Sequence, residues 1–307
     1  MICGLHMNMV SVAERIRQLK KEKNAVILAH NYTSPEIQDI ADFVGDSLGL
    51  SIEASKTSAD VIVFCGVSFM GETAKILSPG KTVLLPVPDA HCAMAAMCTG
   101  EQLREFKKCN PNYAVIGYVN STAESKAEMD ICCTSSNVIK VVRSIKWGDV
   151  LLVPDMNLGS YAASETGVDI MLWDGFCPVH HGITTEQVSR LKQKHPNAFV
   201  MAHPECRKEV LAQADFIGST EAMLNKARSS EKKEFIILTE IGMKYRLEKE
   251  NPGKKFLFLE HAVCTTMKMA SPETVLLSLE KGAGEVVLSQ DILDRAKGPV
   301  MKMIDLS

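Results

Sequence analysis

Three cysteines offer the clearest chemistry. Cys92, Cys177 and Cys264 lie 85 and 87 residues apart, each just past a short apolar run. A lone thiol is most often a small buried hydrophobe. Recurrence at near-constant spacing lifts these three above that reading. Cys3, Cys65, Cys98, Cys109, Cys132, Cys133 and Cys206 show no such recurrence and read as structural or incidental. Three soft thiolates from three separate segments suit an iron–sulfur cluster. A [4Fe–4S] cluster normally takes four thiolates, so three leave one iron open to act as a Lewis acid on a substrate oxygen.

The groups that could work beside such a cluster recur too. His30, Tyr32 and Ser47 in the first third of the chain correspond to Tyr118, Asn120 and Ser135 in the second. The counterparts in the last third are His203, Glu205 and Thr220. His180 and His181 follow Cys177 closely, and at least one is expected to line the site. His6 and His195 read as surface residues. Ser47, Ser135 and Thr220 each follow a short apolar run and precede a helical pattern, which reads as an N-cap. A helix start facing a cavity is also an anion site, so both readings stand together.

These residues need elements to hold them, and the elements come in triplicate. Amphipathic helical patterns starting at Glu14, Glu101 and Glu186 each run through a turn into an apolar strand. Asp42–Ser47, Asp130–Ser135 and Asp215–Thr220 then repeat a short strand and a hydroxyl. A third strand, a helix and a fourth strand lead to each cysteine. Apolar strands without alternation are typical of parallel sheets covered on both faces. The expectation is an α/β protein of three pseudo-repeated α/β/α sandwich units around a pseudo-threefold axis, each with a four-stranded parallel sheet. The units are expected at residues 1–98, 99–182 and 183–265, with a helical tail, 266–307, packing on the first. Ligands bind beyond the carboxyl ends of parallel strands, where the residues named above fall.

Composition sets the limits. The chain has 307 residues, 46% hydrophobic and 23% charged, with a formal net charge of −3. It has no apolar run long enough for a membrane span and no basic-then-apolar leader, so it reads as cytoplasmic. It also lacks the basic stripe of a nucleic-acid binder. Ten cysteines in a reducing compartment are expected to be buried, catalytic or metal-bound rather than disulfide-linked.

The motifs resemble those of the quinolinate synthase family. They are LAHNYTSPEIQDIADFVGDSLGL (28–50), YVNSTAESKAEMDICCTSSN (118–137), the cysteine contexts HCAMA, GFCPVHHG and AVCTTM, and HPEC with GST. The resemblance runs from about Val12 to Met303 with the motif order kept. It implies condensation of iminoaspartate with dihydroxyacetone phosphate to quinolinate, with loss of phosphate and water, in NAD biosynthesis. It implies a [4Fe–4S] cluster on Cys92, Cys177 and Cys264. It further implies acid–base roles for Tyr32, Tyr118, Glu205, His30 and His203. Substrate contacts are implied at His30, Ser47, Tyr118, Asn120, Ser135, His180, His203, Glu205, Ser219 and Thr220. An iminoaspartate-producing aspartate oxidase or dehydrogenase is the implied functional partner. Thr33 stands where the family commonly has glutamine, His91 where threonine is usual, and the C-terminal cysteine triplet of some members is absent. The first ten or so residues extend beyond the usual start, which points to Met7 or Met9 as a beginning.

Both substrates are anions, so the site needs positive potential, which helix N-termini and His30 or His203 are expected to supply. Two other readings use the same cysteines. One is a zinc lyase or hydrolase, although catalytic zinc usually has more histidine. The other is a non-enzymatic iron–sulfur sensor, which would not need the polar ring at the strand ends.

Overall fold

The computed structural model describes residues 11–307, so Cys3, His6, Met7 and Met9 fall outside the described residues. Three parallel sheets organise it. The first holds β1 (Ala25–His30), β2 (Phe43–Gly45), β3 (Val61–Cys65) and β4 (Thr82–Leu84). The second holds β5 (Tyr113–Tyr118), β6 (Ile131–Cys133), β7 (Asp149–Val153) and β8 (Ile170–Leu172). The third holds β9 (Phe199–Ala202), β10 (Phe216–Ile217), β11 (Glu234–Leu238) and β12 (Lys255–Phe258). Each runs in the order second, first, third, fourth. This is the expected α/β architecture of three pseudo-repeated units, with helices flanking every sheet.

The repeat extends to single hydrogen bonds. Asp42, Asp130 and Asp215 each accept the backbone N–H of a first-strand residue, Ile27, Val115 and Val200, at 2.8 Å. Each pins its second strand in one register, so that Phe43 pairs with Leu28, Ile131 with Ile116 and Phe216 with Met201. Helix starts repeat as well. Ser11 with Glu14, Thr99 with Gln102 and Thr184 with Gln187 form reciprocal capping boxes, each cap worth about 1 kcal/mol.

The cap positions correct the sequence reading, by one residue toward the strand in units one and three and by two residues the other way in unit two. Asp46 caps the helix Ser47–Lys56 by accepting from Gly49 N–H at 2.9 Å. Ser219 caps Thr220–Ser229. In the second unit Asn137, two residues after Ser135, holds the cap position of Val138–Ser144 without accepting a helix N–H; its Oδ1 instead accepts the Thr134 N–H at 2.8 Å. Ser47, Ser135 and Thr220 therefore do not act as caps. In units one and three the residue that accepts the helix N–H lies closer to the strand than the apolar pattern suggests.

The tail also differs from the simple picture. The helix Pro272–Lys281 packs on the first helix, Val12–Glu22, of unit one. Residues 284–286 then join the edge of β4: Leu85 N–H donates to Gly284 C=O, and Val286 N–H to Val83 C=O, both at 2.8 Å. Gly284 has φ +80°, and a Cβ there would meet the Leu85 carbonyl oxygen at 2.0 Å, so this crossing requires glycine. The last helix, Gln290–Asp305, spans two units rather than one. It packs on helices of unit one and on β6, and Asn137 Nδ2 donates to Met303 C=O at 2.9 Å. Among the described residues no helix is long and apolar enough to cross a membrane.

Candidate active site

The carboxyl ends of the three sheets face one cavity of about 240 Å³. Cys92, Cys177 and Cys264 line it together with His30, Tyr32, Ser47, Tyr118, Asn120, Ser135, His180, His203, Glu205 and Thr220. Twelve residues singled out in the sequence, and His180, thus share one wall. Ser219 instead serves as the helix cap just behind Thr220. His181 stacks on Phe176 and its Nδ1 lies 3.1 Å from Asn157 Nδ2. His195, expected at the surface, is half-buried beside Glu234 at 2.8 Å.

A hydrogen-bond chain runs along the cavity and links two tyrosines. Tyr32 Oη lies 2.6 Å from Thr239 Oγ1, which lies 2.9 Å from His180 Nε2. His180 Nδ1 lies 2.8 Å from Glu205 Oε2, and Tyr118 Oη–H donates to Glu205 Oε1 in a short bond. Every member is at least nine-tenths buried. Burial opposes ionisation of Glu205, but His180, His203 and the Tyr118 hydroxyl outweigh it and hold the carboxyl below the usual range. Burial and the Glu205 charge push both phenols well upward, so each tyrosine is a neutral donor. His30 and His203 differ from expectation. Burial pushes them down to about 4 and about 3, so at neutral pH neither supplies the positive charge assigned to it from sequence.

Three residues of this site escaped the sequence reading. Thr239 is fully buried in the middle of the chain just described. Asp155 and Glu240 occupy equivalent places after β7 and β11. Asp155 accepts Cys177 N–H at 3.1 Å, and Glu240 accepts Cys264 N–H at 3.0 Å. Asp155 also accepts from Asn157 and Leu158 N–H, at 2.8 and 2.9 Å. Lys268 pairs with Glu240 at 3.0 Å. A carboxylate after the third strand of two units was the available signal. The first unit carries Val67 there, which hid it.

The donors fit a thiolate-bound metal group. Three thiols from three units line one cavity, and no fourth cysteine among the described residues lines it. Burial pushes Cys92 up to about 12 and Cys177 upward as well, and metal binding displaces such protons. Asn120 Oδ1 is buried with no protein partner, an acceptor left for a ligand.

Comparison with known proteins agrees with this geometry. The family model described as quinolinate synthetase A protein matches residues 14–305. The chain belongs to that family. It is 52% identical over 299 residues to a quinolinate synthase of Methanosarcina barkeri, covering 97% of this chain and 98% of the relative. Quinolinate synthase of Dehalococcoides mccartyi strain CBDB1 is 52% identical over 294 residues, 95% and 97% of the two chains. That of Aquifex aeolicus is 45% identical over 301 residues, 96% and 94%. The chain is accordingly an enzyme.

Two outcomes follow. Thr239→Val keeps the shape but breaks the chain between Tyr32 and His180. Quinolinate formation should fall about 10²-fold, the scale of lost acid–base assistance, while Thr239→Ser restores it. Steady-state assay beside thermal denaturation checks this, and an active Val variant would remove Thr239 from the path. Separately, a Ser47→Ala, Ser135→Ala double variant should raise substrate KM and leave thermal stability unchanged, because neither hydroxyl caps a helix. A fall in stability with unchanged KM would show the opposite.

Proposed function

We propose that this chain condenses iminoaspartate with dihydroxyacetone phosphate to quinolinate on a [4Fe–4S] cluster held by Cys92, Cys177 and Cys264. The observation that carries the proposal is the buried chain from Tyr32 through Thr239, His180 and Glu205 to Tyr118, set beside three thiols in one cavity. The condensation balances with loss of phosphate and two waters and needs no oxidant. What it does need is repeated proton movement: removal from carbon beside an imine or carbonyl, and delivery to departing oxygens.

The protein's own groups meet those needs in order. Glu205, an ionised acceptor of two hydrogen bonds, is the base. Tyr118 and Tyr32 are neutral donors at the two ends of the chain. Thr239 and His180 let a proton taken at one end be balanced at the other. Ser47, Ser135 and Thr220 present hydroxyls to substrate anions, and Asn120 Oδ1 accepts from a substrate N–H or O–H. His30 and His203, kept neutral by burial, act as hydrogen-bonding rather than charged groups. A cluster on the three thiols supplies Lewis acidity through an iron that no protein thiolate occupies. The enzyme works in the cytoplasm beside an iminoaspartate-producing oxidase or dehydrogenase.

One observation favours a second reading. Donor atoms of Cys177, His180 and Glu205 all lie within 4.8 Å of one another, a set able to take a single metal ion. Their closeness already has an account in the hydrogen bonds of His180 Nδ1, 2.8 Å from Glu205 and 3.2 Å from Cys177 Sγ. That reading also leaves Cys92 and Cys264 without a role.

Glu205→Gln tests the assignment. It keeps size and removes the base, so turnover should fall about 10²-fold or more in protein carrying its full iron. A near-normal rate in such protein would take Glu205 out of the mechanism.

A further inference from the structure

Lys126 is the only lysine or arginine buried among the described residues, with 0% of its surface exposed. Its ammonium donates to the Ser121 carbonyl and sits 5.2 Å from the centre of the Phe69 ring. It makes no ion pair. Glu72, the charged group that acts on it most, accepts the Ala123 N–H with Oε2 at 2.7 Å. Burial pushes Lys126 down to about 8, which leaves it protonated at neutral pH. A buried, unpaired charge is costly, so the position calls for an account.

The repeat shows that the fold does not need a charge there. By the strand register, Lys126 corresponds to Gln38 in the first unit and Leu211 in the third. Gln38 holds the same strand-end turn with a neutral amide, donating to Thr33 C=O at 3.0 Å and Asn31 C=O at 3.1 Å. Leu211 makes no such clamp. Only the second unit uses an ammonium, and it lies behind Phe69, which lines the cavity beside Cys92. No lysine or arginine lines that cavity, and its buried histidines His30 and His203 are neutral. Lys268 reaches the cavity wall through the Tyr32 carbonyl, but its charge is paired with Glu240. Thiolates, the Glu205 carboxylate and anionic substrates would otherwise gather there with no unpaired cation.

We propose that Lys126 is the fixed cation of this active site, acting through the Phe69 wall on the anionic charge around Cys92 while its hydrogen bond to Ser121 positions the Tyr118–Asn120 turn. It is a positioning residue, since it reaches the cavity only through Phe69 and the turn. The inference rests on the proposed function, which brings thiolates and anionic substrates to the cavity.

Two variants separate charge from clamp. Lys126→Gln installs the first unit's solution, keeping a donor and removing the charge. Lys126→Met removes both, and an unbranched apolar chain suits a buried site. Both are compared with wild type, purified without oxygen, for iron and sulfide content, cluster midpoint potential by EPR-monitored titration, thermal stability and KM for each substrate. Lys126→Gln should keep wild-type iron and stability. Its potential should shift to more negative values, because a lost cation disfavours the reduced cluster. Its KM for dihydroxyacetone phosphate should rise about tenfold, the equivalent of one pKa unit of charge interaction. Lys126→Met should show the same shift and also lose turnover through the released turn. Wild-type potential and KM in either charge-free variant overturns the proposal. So does failure of both variants to take up iron, which would make Lys126 a folding element. A wild type without sulfide or quinolinate formation would instead sink the function on which the inference rests.

Discussion

Parallel pairing makes all four strands of each sheet end on the same edge, and the meeting of three such edges is the constraint on which this protein depends. A strand end is where side chains leave the sheet and where helix starts offer free N–H groups. One sheet would provide a shallow crevice. Three provide a closed ring, because each unit supplies the wall that the other two lack. Hydrogen bonds lock the ring at every seam. Asn31 Nδ2 donates to Thr220 at 2.8 Å between units one and three, and Ser136 Oγ to Asp46 at 2.7 Å between two and one. Tyr118 to Glu205 joins two and three. The last of these also belongs to the buried chain between the two tyrosines, so the interface and that chain are one structure.

Equivalent positions carry different residues, and that difference turns a symmetric scaffold into an asymmetric site. His30, Tyr118 and His203 share one place; Tyr32, Asn120 and Glu205 share another. The buried chain uses the tyrosine of one triplet, the glutamate of the same triplet and the tyrosine of the other. The anchoring of the cysteines breaks symmetry too. Cys177 and Cys264 have carboxylates holding their backbone N–H, whereas the place equivalent to Asp155 and Glu240 in unit one is Val67. On the Cys92 side the buried charge is instead the Lys126 ammonium.

Much of this was legible in the sequence because the repeat leaves side-chain traces. Asp42, Asp130 and Asp215 recur since each satisfies a backbone N–H that fixes strand register. The cysteines recur since three units deliver one thiol each to one cavity. What escaped had physical reasons. In units one and three the caps fell one residue early because the residue that accepts the helix N–H sits at the strand end, where apolar periodicity marks no boundary. Thr239 became visible only when the third strand end was placed against His180 from another unit. His30 and His203 were expected to be cationic because sequence does not show burial, and burial makes them neutral. The final helix was assigned to unit one, yet an amphipathic pattern shows that a face is buried and not which units bury it.

The central claim is that three equivalent cysteines hold an iron–sulfur cluster at a catalytic centre. Iron and sulfide per chain, measured in protein prepared without oxygen, tests it most directly when Cys92→Ser, Cys177→Ser and Cys264→Ser are read beside wild type and the exposed-site control Cys109→Ser. The account predicts roughly four irons and four sulfides in wild type and control, and loss of most of both, with all quinolinate formation, in each of the three variants. Zinc without sulfide in the wild type, or one of the three serine variants keeping its iron and its activity, would contradict it.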